Sequence, residues 1–255
     1  MYDMIHEFFR DLFHTSADEE NRRLKAESVN RADLVICISE TTRQDALRVW
    51  PLRPDQLVVV PLAANVHFRR TPRLEPDRPF VMFVGDRNHY KNFRVLLHAF
   101  ARWQAREPVC IVVGGAAPSP DEQQLIVDLG LSQRIRFVGR VSDEQLASFY
   151  SSAIAYVQTS LYEGFGIPIL EALSCGCRVI ASDIPASREV AGSTAAYFAP
   201  TDPDSLVAAL DKAVGQSTTE AQRAAWMARG RQFSWDASAS AMLAAYRQVA
   251  DSRRT

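Results

Sequence analysis

The sequence predicts an α/β chain built on a parallel, doubly wound sheet, and three observations predict it. From residue 80 onward short apolar runs alternate with helical segments, the order that βαβ units produce. Glycine-bearing or polar loops follow the first four of those runs, where open parallel sheets bind their ligands. The chain has 255 residues, 47% of them apolar, which suits one large domain or one domain plus part of another.

In chain order, residues 18–31 form a polar helix, 33–39 a strand, 41–50 a helix and 57–60 a second strand, with Ser39, Thr41 and Thr42 as candidate helix caps. Two strands and a few helices close an independent core poorly, so residues 1–68 are expected to be part of a domain rather than a whole one. Residues 69–79, with Pro72, Pro76 and Pro79 among charges, form a linker. The complete domain spans 80–232. Its strands are predicted at 80–85, 109–114, 134–138, 153–157, 178–182 and 195–198, each apolar enough to be buried on both faces. Helices are predicted at 93–106, 121–129, 143–150, 168–174 and 185–190. Residues 233–255 carry a final amphipathic helix at 235–249, with Met242, Leu243, Tyr246 and Val249 apolar.

Composition removes several function classes. A net charge of −1 offers no polyanion-binding surface, so no nucleic acid is expected as partner. No apolar stretch reaches membrane-spanning length, and the N-terminus lacks the basic-then-apolar order of a secretory signal, so cytoplasm is the expected compartment. Cys37 and Cys110 lie in strand-like runs as small hydrophobes. Cys175-Gly-Cys177 has the wrong spacing for a redox or zinc pair and suits a turn with Gly176 past a helix end. No metal-ligand cluster is visible. Only three of the 29 basic residues are lysines, which makes Lys91 conspicuous.

The run Ser160-Leu-Tyr-Glu-Gly-Phe-Gly-Ile-Pro-Ile-Leu-Glu-Ala-Leu173 carries the chemistry. Gly164 and Gly166 allow a sharp turn and close approach to a ligand, and Pro168 suits the first position of a helix. The helix N-terminus offers unpaired N–H groups to an anion such as a diphosphate. Glu171, a turn further on, can accept hydrogen bonds from a ribose diol. Acidic residues near helix starts also stabilise any helix, so the pattern alone leaves a purely structural role open.

The segment resembles the Glu-x7-Glu motif of retaining glycosyltransferases of GT-B fold, the glycosyl transferases group 1 (family 4) class. Phe83-Val-Gly-Asp-Arg-Asn-His-Tyr-Lys-Asn92, Phe137-Val-Gly-Arg-Val141, Asp183-Ile-Pro-Ala-Ser-Arg-Glu-Val-Ala-Gly192 and Phe233-Ser-Trp-Asp236 resemble the same family, in its order. Tyr2-Asp-Met-Ile-His-Glu7 and residues 32–40 are similar to the end of its N-terminal Rossmann-like domain, which implies that residues 1–68 are the C-terminal part of such a domain. The resemblance implies hexosyl transfer, with retention, from a nucleoside diphosphate sugar (GDP- or UDP-linked, mannosyl as first choice) to a saccharide or lipid-linked acceptor. It implies no resident cofactor or metal. Glu163, Lys91 and Arg87 are the implied catalytic set. Donor contacts fall on Gly85, Arg87, Lys91, Val138, Gly139, Glu163, Gly164, Phe165, Gly166 and Glu171.

The chain departs from the family in three places. Many relatives place the arginine directly after the glycine, where this chain has Asp86, so Arg87 stands one place late. Tyr2 occupies the position of a family histidine, which leaves the parts of Tyr2, Asp3 and His6 open. The first half of the acceptor-side domain has no counterpart. A partner chain supplying that half, a non-catalytic binding subunit, and peripheral association with the inner membrane face therefore all stay open. The last helix is expected to cross back to the N-terminal part.

Overall fold

The structure, a computed structural model, describes residues 1–72, 77–87, 89–105 and 107–253. The N-terminal part runs α1 (Ile5–Phe8), α2 (Ser16–Arg31), β1 (Val35–Cys37), α3 (Glu40–Val49) and β2 (Leu57–Val59). The larger part begins β3 (Phe80–Val84), α4 (Phe93–Arg102), β4 (Val109–Val113), α5 (Pro120–Asp128), β5 (Ile135–Gly139) and α6 (Asp143–Ser152). It continues β6 (Tyr156–Gln158), α7 (Ile167–Ser174), β7 (Val179–Ser182), α8 (Pro185–Ala191) and β8 (Ala196–Phe198), then α9 (Pro203–Gly215), α10 (Glu220–Gly230) and α11 (Trp235–Ser252).

Six strands pair in the order β5-β4-β3-β6-β7-β8, all parallel. The chain winds outward from β3 to one edge, then returns to β6 and winds to the other. β3 and β6 therefore flank the topological switch point, where doubly wound sheets place their ligand crevice at the carboxyl ends of the strands. Strand alternation builds a core on each face. Phe80 and Met82 pack with Tyr150, Tyr156, Ile169 and Trp226, whereas Val81 and Phe83 pack with Leu96, Phe100, Leu206 and Leu210. β1 and β2 form a separate parallel pair over Val29, Val35, Cys37, Ala46 and Leu57.

Local chemistry fixes the helix ends. Thr15, Ser39, Ser119, Ser142, Asp202, Thr219 and Ser234 each cap a helix through a side-chain oxygen. α7 ends in a Schellman arrangement: Gly176 at φ +68° donates to Leu173 O, and Cys177 donates to Ala172 O. All four cysteines are buried free thiols.

The helix expected over 93–106 stops at Arg102. Trp103 turns extended and is fully buried, its indole N–H donating to Asp211 on α9 at 2.7 Å; residue 106 lies outside the described residues. The strand expected from 134 starts at Ile135, because the Arg134 guanidinium turns back to donate to the Phe100 and Ala105 carbonyls. The strand expected over 153–157 is Tyr156–Gln158, and Pro168 sits at the second helical position behind Ile167. α1, α9 and α10 were not foreseen, although the Asp202 cap, Pro203 and the Leu206–Leu210 spacing announce α9. Of the linker expected over 69–79, residues 73–76 lie outside the described residues.

Polar contacts join the N-terminal part to the larger one. Glu189 on α8 accepts from the backbone N–H groups of Glu40 and Thr41 at 2.7 and 2.8 Å and from the Thr41 hydroxyl at 2.7 Å. A carboxylate thus satisfies the orphan donors at the start of α3 and complements its dipole. On α11, Ser238 donates to Pro61 O and Arg253 pairs with Asp33, so the last helix lies against the N-terminal part.

Replacing Glu189 by Ala removes three acceptor contacts at a half-exposed helix start. A loss of about 1–2 kcal/mol is expected in urea unfolding, with protease cleavage gained in residues 1–60. An unchanged midpoint would contradict this role for the carboxylate.

Candidate functional site

The crevice between β3 and β6 gathers most of the residues the sequence singled out. After β3 the chain passes through Gly85 at φ +116° and a 3-10 turn (His89–Lys91), then enters α4 through Asn92 at φ +50°, whose side-chain amide donates to Pro200 O. This detour aims Lys91 back across the crevice. Its ammonium donates to Glu163 at 2.7 Å, and the Ser160 hydroxyl donates to the same oxygen at 2.6 Å. Thr159 fixes the other side by donating to Lys91 O at 2.6 Å. Burial pulls the Lys91 pKa down, but the charge and hydrogen bond of Glu163, with Tyr90 and Asp86, outweigh it and leave the pKa raised. The lysine is therefore a firm cation at neutral pH.

The turn that follows Glu163 has three differently used residues. Gly164 is packed from outside: a Cβ there would stand 2.0 Å from Tyr2 O and 2.8 Å from Asp3 Cβ. Its own carbonyl accepts from Ser39 and Thr42 at 2.5 and 3.0 Å. Phe165 is 3% exposed and its ring packs edge-on against Phe233, so only its backbone can face a ligand. Gly166, at φ +112°, is the N-cap of α7, and no side chain caps this helix. Pro168 has no N–H and the Ile169 N–H donates to Gly166 O at 3.0 Å, so the backbone donor left at this helix start is that of Ile167, beside the Gly166 turn.

Glu171 follows one turn into α7. Burial raises its pKa to about 7, against the lowering effect of the Tyr150 hydroxyl, which donates to Oε2 at 3.1 Å; Asp143 adds a small further rise. On the far side of the crevice, Gly139 and Gly114 take positive φ at the ends of β5 and β4 and are joined by Gly114 N–H to Gly139 O at 2.7 Å. Val138 is 39% exposed on that rim.

Arg87 lies apart from Lys91. Its guanidinium pairs with Glu122 at 3.0 Å, donates to Ala116 O at 2.7 Å and covers the Phe137 ring at 5.0 Å. Only 5% of its side chain is exposed, and Nη1 has no hydrogen-bond partner. It clamps the loops after β3 and β4. A cavity of about 390 Å³ borders it, lined by Asp86, His89, Asn92 and Glu122. A second, of about 260 Å³, lies on the opposite flank between Phe8, Asp45, Tyr162 and Glu163.

Asp3 accepts from Ile5 N–H and so starts α1, while His6 faces Asp18 at 3.8 Å and Phe13. Tyr2 is exposed, with its carbonyl against Gly164. Sequence reasoning missed Ser160, Tyr162, Tyr150 and Glu122. Tyr162 accepts from Met4 N–H and donates to Asp45, both at 3.0 Å. Ser160 and Tyr162 flank Glu163 in the motif, but only the folded chain shows what they hold. Among the described residues no three His, Cys, Asp or Glu side chains gather as a metal would require, and no helix is long and apolar enough to cross a membrane.

Two outcomes follow from this geometry. Gly164→Ala forces a methyl into the Tyr2 carbonyl and is expected to cost about 1–3 kcal/mol by urea denaturation, with residues 1–15 becoming protease-sensitive; wild-type stability would refute the close packing. Glu171 carries a raised pKa in the fold, so its contribution is full below the unfolded value near 4.5 and is lost as pH rises through about 7. Between pH 5 and 8 the wild type is expected to lose on the order of 2 kcal/mol relative to Glu171→Gln, allowing for partial solvent access. Parallel pH profiles for the two proteins would contradict it.

The chain resembles known proteins along most of its length. Over 239 residues the chain is 30% identical to O-antigen chain mannosyltransferase B of Escherichia coli, covering 87% of this chain and 62% of that protein. It is 31% identical over 223 residues to an MMP α-(1→4)-mannosyltransferase of Mycolicibacterium hassiacum, covering 84% of this chain and 54% of that one. Among solved structures, a sucrose-phosphate synthase from Thermosynechococcus elongatus superposes with a TM-score of 0.75 at 27% identity, over 92% of this chain and 62% of its own. The chain thus spans just over half to three fifths of the length of these relatives. Its fold is of GT-B type, with one complete Rossmann-like domain and the C-terminal part of a second. The sequence profile described as "Glycosyl transferases group 1" matches residues 67–233, from ahead of β3 to the start of the last helix, and the chain belongs to that family.

Proposed function

We propose that this chain carries the donor-binding part of a retaining hexosyltransferase. It would move a hexosyl group, mannosyl first, from a nucleoside diphosphate sugar to an acceptor hydroxyl in polysaccharide or glycolipid synthesis. The observation that carries this reading is the Lys91–Glu163 pair, 2.7 Å apart at the mouth of the uncapped α7, with Glu171 one turn inside. One cation, the backbone N–H groups of the Gly166–Ile167 turn and two carboxylates match the diphosphate, sugar and ribose of such a donor. Both mannosyltransferase relatives support the choice of sugar, and GDP is then the first nucleotide to test.

In the reaction, the bond from the anomeric carbon to the β-phosphate oxygen breaks, and the acceptor oxygen bonds to that carbon on the same face. The acceptor proton passes to the departing phosphate. Lys91 and the N–H groups of the Gly166–Ile167 turn take up the charge gained by the diphosphate, which is where preorganised donors lower a barrier most. Glu163 stands beside the electron-poor sugar and, held by Ser160, faces its positive charge. Glu171 receives the ribose hydroxyls. Val138, Gly139 and Gly114 border the base, and Gly85, Phe165 and Gly166 offer backbone to the phosphates. Arg87 holds the β3 and β4 loops with three of its donors engaged; its unpartnered Nη1 is buried against Gly115, where a Cβ would stand 2.8 Å away, so its part is to shape those loops. The acceptor would enter on the flank of Phe8 and Tyr162, and full activity would draw on the acceptor-side residues that the longer relatives carry.

Calorimetric titration with GDP, UDP, GDP-mannose and UDP-glucose tests the reading. One nucleotide is expected to bind, and Lys91→Ala and Glu171→Ala are each expected to weaken it roughly 10- to 100-fold, the worth of a charge-assisted contact. Tight binding that neither variant weakens would place the nucleotide elsewhere.

A further inference from the structure

Tyr150 stands beneath Glu171 and has no other polar partner among the described residues. Its side chain is fully buried, and its hydroxyl donates to Glu171 Oε2 at 3.1 Å. The ring is held from two sides, edge-on against Tyr156 on β6 at 5.6 Å and against Phe68 at 6.2 Å. Phe68 belongs to the segment that leads from the N-terminal part, and the same segment ties down α6 through Thr71 N–H to Ser151 Oγ at 3.0 Å. The hydroxyl is thus a fixed donor, aimed from one element at the carboxylate of another.

We propose that Tyr150 is the positioning residue of the nucleotide site: its hydroxyl occupies one Glu171 oxygen from below and so turns the carboxylate edge that accepts the ribose diol toward the crevice. This rests on the donor reading of the site. A carboxylate has about four acceptor positions, and a donor that fills one from the buried side leaves those on the open side for the two ribose hydroxyls. Without it the carboxylate rotates freely and is buried with less to offset the loss of water.

The same contact sets a proton equilibrium. Burial holds the Glu171 pKa near 7, and the Tyr150 hydrogen bond acts in the opposite direction. Asp143, at the start of α6, adds like charge, and Tyr156 and Cys175 are the other titratable groups near it, both held neutral by burial. From α10, Arg223 reaches the other end of α7, where it donates to Gly176 O. On α8, Arg188 is engaged by Asp183 and Glu189 by the α3 start. Ribose hydroxyls donate to the ionised carboxylate, so nucleotide affinity rises as pH passes from 6 to 8. Loss of the tyrosine hydroxyl moves the midpoint of that rise to higher pH.

The test compares wild type, Tyr150→Phe, Glu171→Gln and the double variant. Each is titrated with GDP and UDP and with the 2′-deoxy and 3′-deoxy forms of whichever binds, from pH 5.5 to 8.5. The phenylalanine keeps both ring contacts, so the fold is retained. In wild type, removal of a ribose hydroxyl is expected to weaken binding about tenfold. In Tyr150→Phe the full nucleotide is expected to bind about tenfold more weakly, to lose most of its advantage over the deoxy forms, and to show the raised midpoint. In Glu171→Gln the rise due to the carboxylate disappears, leaving only that of the terminal phosphate, whose second pKa is about 6, and adding Tyr150→Phe changes little, because the two act as one unit. A purely structural tyrosine would lower affinity with the deoxy ratio and the midpoint unchanged, and that result overturns the proposal alone. Wild type that binds neither GDP nor UDP, or binds one of them undiminished in Lys91→Ala, overturns the donor reading as well.

Discussion

Lys91 and Glu163 face each other because β3 and β6, remote in sequence, are neighbours in the sheet. The winding direction reverses between those two strands, so the loop after β3 meets the loop after β6 at the carboxyl edge of the sheet. They are joined by the ion pair of 2.7 Å, by Thr159 donating to Lys91 O at 2.6 Å and by Leu161 N–H donating to Tyr90 O at 2.7 Å, with Ser160 holding Glu163 in place. The surrounding chemistry is arranged about that bridge. The uncapped start of α7 lies on one side, the glycine-lined ends of β4 and β5 on the other, and the first helix and its aromatic side chains lie over the outer flank.

The glycines of this crevice answer to different constraints. Gly85, Gly114, Gly139 and Gly166 adopt backbone angles that a side chain resists. Gly164 has no such angle; it is small because the Tyr2 carbonyl fills the space where a Cβ would go, and its own carbonyl anchors Ser39 and Thr42. A residue in the middle of the motif therefore serves the junction between the two parts of the chain. Tyr162 does the same, joining Met4 to Asp45 beside Glu163. Adjacent residues of the motif thus line the crevice and hold the N-terminal segment, so the position of that segment and the shape of the crevice are coupled.

The two glutamates of the motif differ through their surroundings. Glu163 lies against a lysine and a serine hydroxyl at the crevice mouth. Glu171 lies deeper, against a tyrosine hydroxyl with no cation beside it, and burial raises its pKa to about 7. Identical side chains eight positions apart thus meet opposite electrostatic conditions, one suited to standing by developing positive charge and the other to accepting neutral hydroxyls.

The alternation of apolar runs with helices, the Ser, Thr and Asp caps, the turn at Gly176 and the Glu-x7-Glu spacing were determined by the sequence, because each is a local preference of a few consecutive residues. Glu163, Lys91 and Glu171 were singled out there by residue type and motif, and the structure brings Lys91 to Glu163 with Glu171 one turn into α7. Their other partners were not singled out. That Arg87 pairs with Glu122 across to α5, that Tyr150 reaches Glu171, that Glu189 caps α3 from another part of the chain and that Trp103 ends α4 by seeking Asp211 are all contacts between segments far apart in sequence. Such contacts depend on which strands become neighbours. That order is settled by burying two faces of one sheet at once, a condition satisfied only by the whole fold.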